Sequence, residues 1–86
     1  MYIQAKIGAR IRQLRLSKNI SQEDLAWRSE LDRTFMNHVE NSRRNVSIQS
    51  LKKIIENGLE ISFKDFFSDD LFTQLDTIEK GGSDEA

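Results

Sequence analysis

Two short predicted helices, with only residues 30–32 between them, constrain the fold of this chain more than any other feature. The first is predicted to begin after Ser21, whose hydroxyl can accept a hydrogen bond from a free backbone N–H, with Asp24 as the acidic residue of a capping box. The second is predicted to begin after Asp32 and to end near Asn41. Helices so close in sequence must pack across a tight turn, so the sequence predicts a helix-turn-helix unit.

Helical periodicity predicts one helix before this unit and at least one after it. Residues 3–17 carry isoleucine and leucine at helical intervals, with Lys6 on another face, and Asn19 stands where this helix should stop. Ser47 is predicted to cap a fourth helix that ends at residues 57–58. This helix carries the apolar residues Ile48, Leu51, Ile54 and Ile55.

The last apolar segment begins with Ser62, which is again placed to cap a helix. Apolar residues continue to Ile78 and are enough for one bent helix or two short ones. The chain contains no proline and four glycines, which favours short helices over a turn-rich β architecture. We therefore expect an all-α fold of five helices, with one domain over residues 1–80 and a disordered tail over residues 81–86.

Composition argues against several classes of site. The chain has no cysteine and one histidine, so we expect no disulfide and no metal site. That histidine, His38, has no nucleophile or second acid–base group in register, so we expect neither catalysis nor a cofactor. No apolar run approaches the roughly 18 residues of a membrane span. Lys6, Arg10 and Arg12 interrupt the apolar segment that a signal peptide would need, and a soluble, cytoplasmic protein is expected.

Charge is distributed unevenly, although the formal net charge is only −1. Residues 1–46 carry nine lysines and arginines against five acids, a balance of +4, whereas residues 47–86 carry four against nine, a balance of −5. Binding to phosphates requires a local basic surface rather than a basic total. The asymmetry is compatible with nucleic-acid binding, and equally with an ordinary solvated surface, so motif spacing has to decide.

Four segments share their residues and spacing with one known family. They are Ile11-Arg12-Gln13-Leu14-Arg15, Ser21-Gln22-Glu23-Asp24-Leu25-Ala26, Leu31-Asp32-Arg33-Thr34-Phe35-Met36 and Val39-Glu40-Asn41. In these segments the chain resembles, over about residues 5–60, the Cro/phage-repressor family of helix-turn-helix proteins, also called the xenobiotic-response-element type. A narrower pattern, residues 31–35 followed by Glu40 and by Arg44-Asn45, resembles the controller proteins of restriction–modification systems.

The resemblance implies a fold and a function. The fold would be a lambda-repressor-like domain, and the function that of a transcription regulator that binds a pseudo-palindromic operator in double-stranded DNA as a homodimer. A controller would regulate its own promoter and an endonuclease gene, with RNA polymerase as a further candidate partner. The alternatives are a phage-type repressor, and an antitoxin or other interaction module that masks a protein partner with its aromatic C-terminal half.

The first turn of the third helix is expected to read bases, because this part of a recognition helix reaches base edges. Arg33 can donate two hydrogen bonds to guanine O6 and N7, although a contact to phosphate is the alternative. Thr34 offers a hydroxyl and a methyl group. One turn further on, Asn37 can in principle read adenine, and His38 is a weaker candidate for which an ordinary solvent-facing role fits nearly as well.

Three residues outside that helix are expected to contact the DNA backbone. By resemblance, the Gln22 amide contacts a phosphate and steadies the start of the third helix, since helix N-termini favour anions. Arg43 and Arg44 follow the third helix in a polar loop, where they can grip phosphate or enter a groove edge. Two solvated loop arginines are the alternative, and Arg44 is the better candidate for a contact.

Four residues call for a structural interpretation. In the resembled family the positions of Arg15 and Glu40 form a largely buried ion pair, which implies an architectural role. Glu30 stands at a turn position usually occupied by glycine or asparagine, so either the turn differs or about 1 kcal/mol of strain is accepted. Trp27 is expected to cover the edge of the core, with a sugar–phosphate strand or a protein partner as alternatives.

The C-terminal part carries more large apolar side chains than one short helix is expected to hide. Because exposed apolar patches mark interfaces, some of them should face a second copy of the chain. A purely intramolecular fifth helix is the alternative. The predicted dimer interface consists of Ile61, Phe63, Phe66, Phe67 and Leu71.

Overall fold

The computed structural model describes residues 2–73 and residue 75, and within them the fold is all-α, as predicted. Five α-helices follow one another, the fourth continuing directly into a π-helical segment, and a short 3₁₀ helix comes last. Their bounds are α1 Ile3–Ser17, α2 Gln22–Arg28, α3 Arg33–Glu40, α4 Ile48–Lys52, the π-helical segment Lys53–Gly58, α5 Phe63–Phe66 and the 3₁₀ helix Asp70–Phe72. Ile78 and the tail predicted for residues 81–86 lie outside the described residues.

Four helices begin at the capping residues that the sequence predicted. The Ser21 hydroxyl accepts a hydrogen bond from the backbone N–H of Asp24 at 2.9 Å, and the Asp32 carboxylate accepts one from that of Thr34 at 2.9 Å. Ser47 and Ser62 cap α4 and α5 in the same way, each at 3.0 Å. Each bond satisfies a backbone donor that the first helical turn leaves free.

Left-handed residues follow α1, α2, α3 and the π-helical segment. Asn19, Glu30, Ser42 and Glu60 have φ angles of 57°, 58°, 64° and 58°. Of the two alternatives expected at Glu30, a different turn or a strained residue, the structure shows the second. A residue with a Cβ is left-handed here, at a cost of about 1 kcal/mol. The backbone N–H of the next residue, Leu31, donates to the carbonyl of Ala26 at 2.9 Å. That bond closes the end of α2 and turns the chain toward α3.

The core lies between α1, α2, α3 and the π-helical segment. Its fully buried side chains are Ile11, Leu25, Met36, Val39, Ile54, Ile55, Leu59 and Phe66. The prediction that Phe66 lies in a dimer interface is wrong, because its exposed fraction is 0% within a single chain. The last turn of α5 points this ring inward, and the surrounding side chains leave it no surface to offer a partner.

The predicted orientation of Trp27 is also wrong, and a second large apolar side chain is exposed. Trp27 does not cover the core: it is 80% exposed, because the inward face of α2 is already filled by Leu25 and Ala26. Ile48, one of the apolar residues of the predicted fourth helix, is 75% exposed. It is the first residue of α4, and Val46, just before the cap, packs against the core instead.

A π-helical segment replaces the last turns of the predicted fourth helix. Within it the neighbouring residues Ile54 and Ile55 are both completely buried. Gly58 ends the segment against Ser29 and Leu25 of α2, where a Cβ would collide with both side chains. The segment thereby closes the core on the side of α2.

Arg10 joins α1 to the C-terminal end of α5. Its Nε donates to the carbonyl of Phe66 at 2.7 Å and its Nη2 to that of Asp65 at 2.8 Å. The Asp65 carbonyl also accepts a hydrogen bond from the backbone N–H of Ser68 at 3.3 Å. The guanidinium thus satisfies carbonyls that the end of a short helix leaves exposed. Lys6, predicted to lie off the apolar face, is only 8% exposed.

Gly8 allows the closest approach between α1 and α3, and replacing it with alanine is expected to lower the free energy of unfolding by about 1–3 kcal/mol. The added Cβ would lie 2.5 Å from the carbonyl oxygen of Val39 and 3.0 Å from that of Glu40. Both atoms belong to the backbone, so the helices must separate. Urea denaturation measures the effect, with the exposed Arg12→Ala in the same helix as the control. A Gly8→Ala variant as stable as the parent would contradict this packing.

Within the described residues, no helix is both long and apolar enough to cross a membrane.

Candidate nucleic-acid interface

The first turn of α3 is exposed and opens onto a shallow groove. Asp32 caps the helix through the backbone N–H groups of Thr34 and Phe35, and this leaves the side chains of Arg33 and Thr34 in solvent. The groove is lined by Gln22, Arg33, Thr34 and Asn37. Four of the seven predicted contact residues therefore meet on one surface, where α2 crosses α3.

A polar network lies behind this groove. The Arg15 guanidinium donates to both carboxylate oxygens of Glu40, from Nε to Oε2 at 2.8 Å and from Nη2 to Oε1 at 3.1 Å. The exposed fractions of the two side chains are 11% and 1%. Arg15 also donates to the carbonyl of Ile20 at 3.0 Å. The ion pair thus ties α1 and the loop before α2 to the last residue of α3.

Gln22 connects this ion pair to the groove. Its Nε2 donates to Oε1 of Glu40 at 3.2 Å, and its Oε1 accepts a hydrogen bond from Nδ2 of Asn37, also at 3.2 Å. The expectation that Gln22 steadies the start of the third helix needs correction, because its two partners stand in the middle and at the end of α3. The amide is half-buried and reaches along the helix rather than across its first turn.

Within the described part of the chain, the groove lining does not include the other three predicted contacts. His38 is half-buried on α3, and its carbonyl accepts a hydrogen bond from the backbone N–H of Arg43 at 2.8 Å. That bond, with Ser42 in the left-handed conformation, turns the chain sharply after α3. Arg43 and Arg44 are exposed beyond this turn. They flank α3 at the end opposite to Arg33.

Arg44 contacts the ring of Phe35, which the sequence did not predict. The centre of its guanidinium lies 5.4 Å from the centroid of the Phe35 ring, within the range of a cation–π interaction. Phe35 is half-buried on α3 and packs against the core. The two residues are nine positions apart with a turn between them, and no helical spacing relates them, so the sequence carries no signal for the pair.

The C-terminal aromatic residues form a cluster of their own. Phe67 lies at its centre, with edge-to-face contacts to Phe66 and Phe72 at centroid distances of 4.9 and 4.8 Å. The remaining predicted interface residues, Ile61, Phe63, Phe67 and Leu71, are all half-buried. The rings shield one another more than the sequence suggested, and each of these four side chains still offers part of its surface to solvent.

Comparison with known proteins places this arrangement in a family. A family model described as "Helix-turn-helix domain" matches residues 6–56. Control protein C.MunI from Mycoplasma sp. is 41% identical over 68 residues, which covers 78% of this chain and 90% of the relative. Control protein C.BamHI from Bacillus amyloliquefaciens is 38% identical over 79 residues, covering 91% and 93%.

Solved structures agree with these sequence relationships. The wild-type restriction–modification controller protein C.Esp1396I is 42% identical and superposes with a TM-score of 0.73, covering 78% of this chain and 87% of that one. The C.Esp1396I tetramer in complex with its natural 35 base-pair operator matches with the same score, identity and coverage. Fold, sequence and the paired short helices therefore agree, and the chain belongs to the helix-turn-helix controller proteins of restriction–modification systems.

Proposed function

We propose that this chain is a sequence-specific transcription regulator that binds a pseudo-palindromic DNA operator as a homodimer and controls a restriction–modification system. The observation that carries the proposal is the groove of Gln22, Arg33, Thr34 and Asn37 at the exposed start of α3. A recognition helix reads bases from this part of its length. Its relative C.Esp1396I has been crystallised on operator DNA, which supports the same class of ligand here.

Some of the polar side chains contact bases, and others contact the DNA backbone. Arg33 donates to the O6 and N7 atoms of a guanine, and Thr34 and Asn37 contact the neighbouring bases. Arg43 and Arg44 bind phosphates on the strand that flanks the far end of α3. Gln22 contacts the DNA backbone beside the start of α2. Among these residues, the half-buried His38 contributes least to DNA binding.

The other end of the molecule serves assembly and regulation. The half-buried side chains of Ile61, Phe63, Phe67 and Leu71 pair with the same surface of a second copy, which sets two recognition helices on successive turns of the operator. The acidic excess of residues 47–86 keeps this end away from phosphate. Regulation follows from blocking or recruiting RNA polymerase in the cytoplasm, with no catalytic step.

Replacing Arg33 with alanine is expected to relax sequence preference, whereas Arg44→Ala weakens binding to all sequences alike. Loss of a bidentate contact to guanine removes about 1–3 kcal/mol of discrimination at one base pair. Loss of one phosphate contact lowers the slope of log K against log [salt] by about 0.9. Fluorescence anisotropy on an operator selected from a random DNA pool, and on its single-base-pair variants at several salt concentrations, measures both effects.

Lys52→Ala supplies the control for these two variants. Its side chain is also an exposed cation, but it belongs to the acidic half of the chain and pairs with Glu56 at 2.6 Å. Its removal should change neither preference nor salt dependence. The proposed division is contradicted if Arg33→Ala and Arg44→Ala alter the profile across operator variants in the same way. A random pool from which no sequence is enriched would contradict the proposed function itself.

A further inference from the structure

We propose that the buried carboxylate of Glu40 determines, through Gln22, which way the amide of Asn37 faces in the groove. Glu40 and Gln22 would then be positioning residues for base recognition. Glu40 lies at the end of α3 with a side chain only 1% exposed, so it acts without touching DNA. The inference rests on the proposed function, since it concerns how the groove reads a base.

Glu40 determines the orientation of the Gln22 amide. Both of its carboxylate oxygens accept hydrogen bonds from the Arg15 guanidinium. A carboxylate has no proton to donate, so a neighbouring side-chain amide must turn its NH₂ group toward it. The Gln22 amide lies 3.2 Å from Oε1 of Glu40. Its nitrogen therefore faces Glu40, and its oxygen must face away.

The same reasoning carries from Gln22 to Asn37. The oxygen of the Gln22 amide lies 3.2 Å from the Asn37 amide, and because a carbonyl oxygen only accepts, Asn37 must present its NH₂ group there. Reversing either amide would set two acceptors or two donors against each other and leave half-buried polar groups unpaired, which is unfavourable. The charge of Glu40 thus determines the orientation of two successive amides.

What remains free on Asn37 is one carbonyl oxygen and one N–H. The bond to Gln22 uses one N–H of the amide, and the bond from Asn41 ends on the backbone carbonyl of Asn37, not on its side chain. Asn37 lines the groove beside Arg33 and Thr34. One acceptor and one donor side by side match the major-groove edge of adenine, where N6 donates and N7 accepts. In a variant without the carboxylate the amide is free to turn over, and the order of the two groups is lost.

The test compares Glu40→Gln with Asn37→Ala on the selected operator and its single-base-pair variants. Asn37→Ala identifies the base pair that Asn37 reads, as the position where a preference for adenine of about tenfold or more is lost. Glu40→Gln keeps the shape of the side chain but can donate or accept. We expect it to lower the preference at that same base pair at least about fivefold while the preference lost in Arg33→Ala persists. The double variant Glu40→Gln/Asn37→Ala should show no further loss at that position.

Gln22→Ala tests the proposal in a second way. It removes the side chain that connects Glu40 to Asn37 and leaves the Arg15–Glu40 ion pair in place. It carries the test if Glu40→Gln does not fold, and it should reduce the preference at the same base pair. Gln49→Ala, which removes an exposed amide from α4, is the matched control and should change nothing. The proposal is overturned if Glu40→Gln and Gln22→Ala weaken binding to all operators evenly and keep the adenine preference. Failure of the proposed function looks different, since the parent protein would then select no sequence.

Discussion

Replacing Glu40 with alanine is expected to lower the free energy of unfolding by about 3–5 kcal/mol. In the parent protein the Arg15 side chain is only 11% exposed, and the substitution leaves its guanidinium with no carboxylate to pair with. It also removes the acceptor that orients Gln22. Burying an unpaired charge is the dominant penalty. Urea denaturation followed by circular dichroism measures the change. Removing both partners at once, as in Arg15→Met/Glu40→Leu, should restore much of the loss, because it leaves no charge behind.

An exposed ion pair provides the matched control for this prediction. Lys52 and Glu56 lie 2.6 Å apart with side chains 65% and 41% exposed. A pair four residues apart on a helix surface contributes only about 0.3–0.5 kcal/mol. Glu56→Ala should therefore have a small effect. Equal losses in Glu40→Ala and Glu56→Ala would mean that burial does not distinguish the two pairs, and would contradict the assigned role of Glu40.

Replacing Phe66 with alanine is expected to destabilise the fold by about 3–5 kcal/mol. The ring is completely buried, and it packs against Phe67 and Phe72 with centroid distances of 4.9 and 6.1 Å. Domains of this size have a total stability of about 5–15 kcal/mol, so the variant should be close to unfolding at room temperature. The loss arises within one chain, and it should appear in urea denaturation at every protein concentration.

Phe63→Ala distinguishes core from interface in the same cluster. Phe63 is half-buried, so its substitution should cost less on unfolding but should raise the dissociation constant of the proposed dimer, as measured by sedimentation. Phe66→Ala, examined under conditions where it is folded, should change dissociation less. If Phe66→Ala dissociated the dimer while its unfolding midpoint stayed at the parental value, the placement of its ring in the core would be contradicted.

The starts of the helices could be predicted from the sequence because a cap depends on neighbours. Ser21, Asp32, Ser47 and Ser62 each need a backbone N–H only two or three residues away, and each accepts one. The end of α1 at Asn19 is equally local. Local chemistry therefore determined the number of helices and the turn between α2 and α3.

The direction in which side chains face could not be predicted with the same success. Trp27 and Phe66 are both large and apolar, yet the first is exposed and the second is fully buried, in each case opposite to expectation. The packing of neighbouring helices decides which of several apolar positions the core can accept. Ile54 and Ile55, which follow one another in the π-helical segment, are both among the positions that the core accepts.

The residues of the candidate site could be named from the sequence, but the hydrogen bonds between them could not. Arg33, Thr34 and Asn37 were identified from their positions along one helix, and Arg15 and Glu40 from the resemblance to known proteins. The bonds from Gln22 to Glu40 and Asn37 join side chains 18 and 15 residues apart. No periodicity relates positions on two crossing helices, so a three-dimensional arrangement was needed to find the network.

The contact between Arg44 and Phe35 has a consequence for the entropy of binding. A free arginine side chain carries about 2 kcal/mol of rotamer entropy, which a ligand normally has to remove when it immobilises the group. In the folded chain the guanidinium already lies 5.4 Å from the centroid of the half-buried Phe35 ring, before the proposed contact to phosphate forms. Part of that ordering is therefore completed when the protein folds. An arginine held ready in this way can bind phosphate with less loss of conformational freedom than its exposed position suggests.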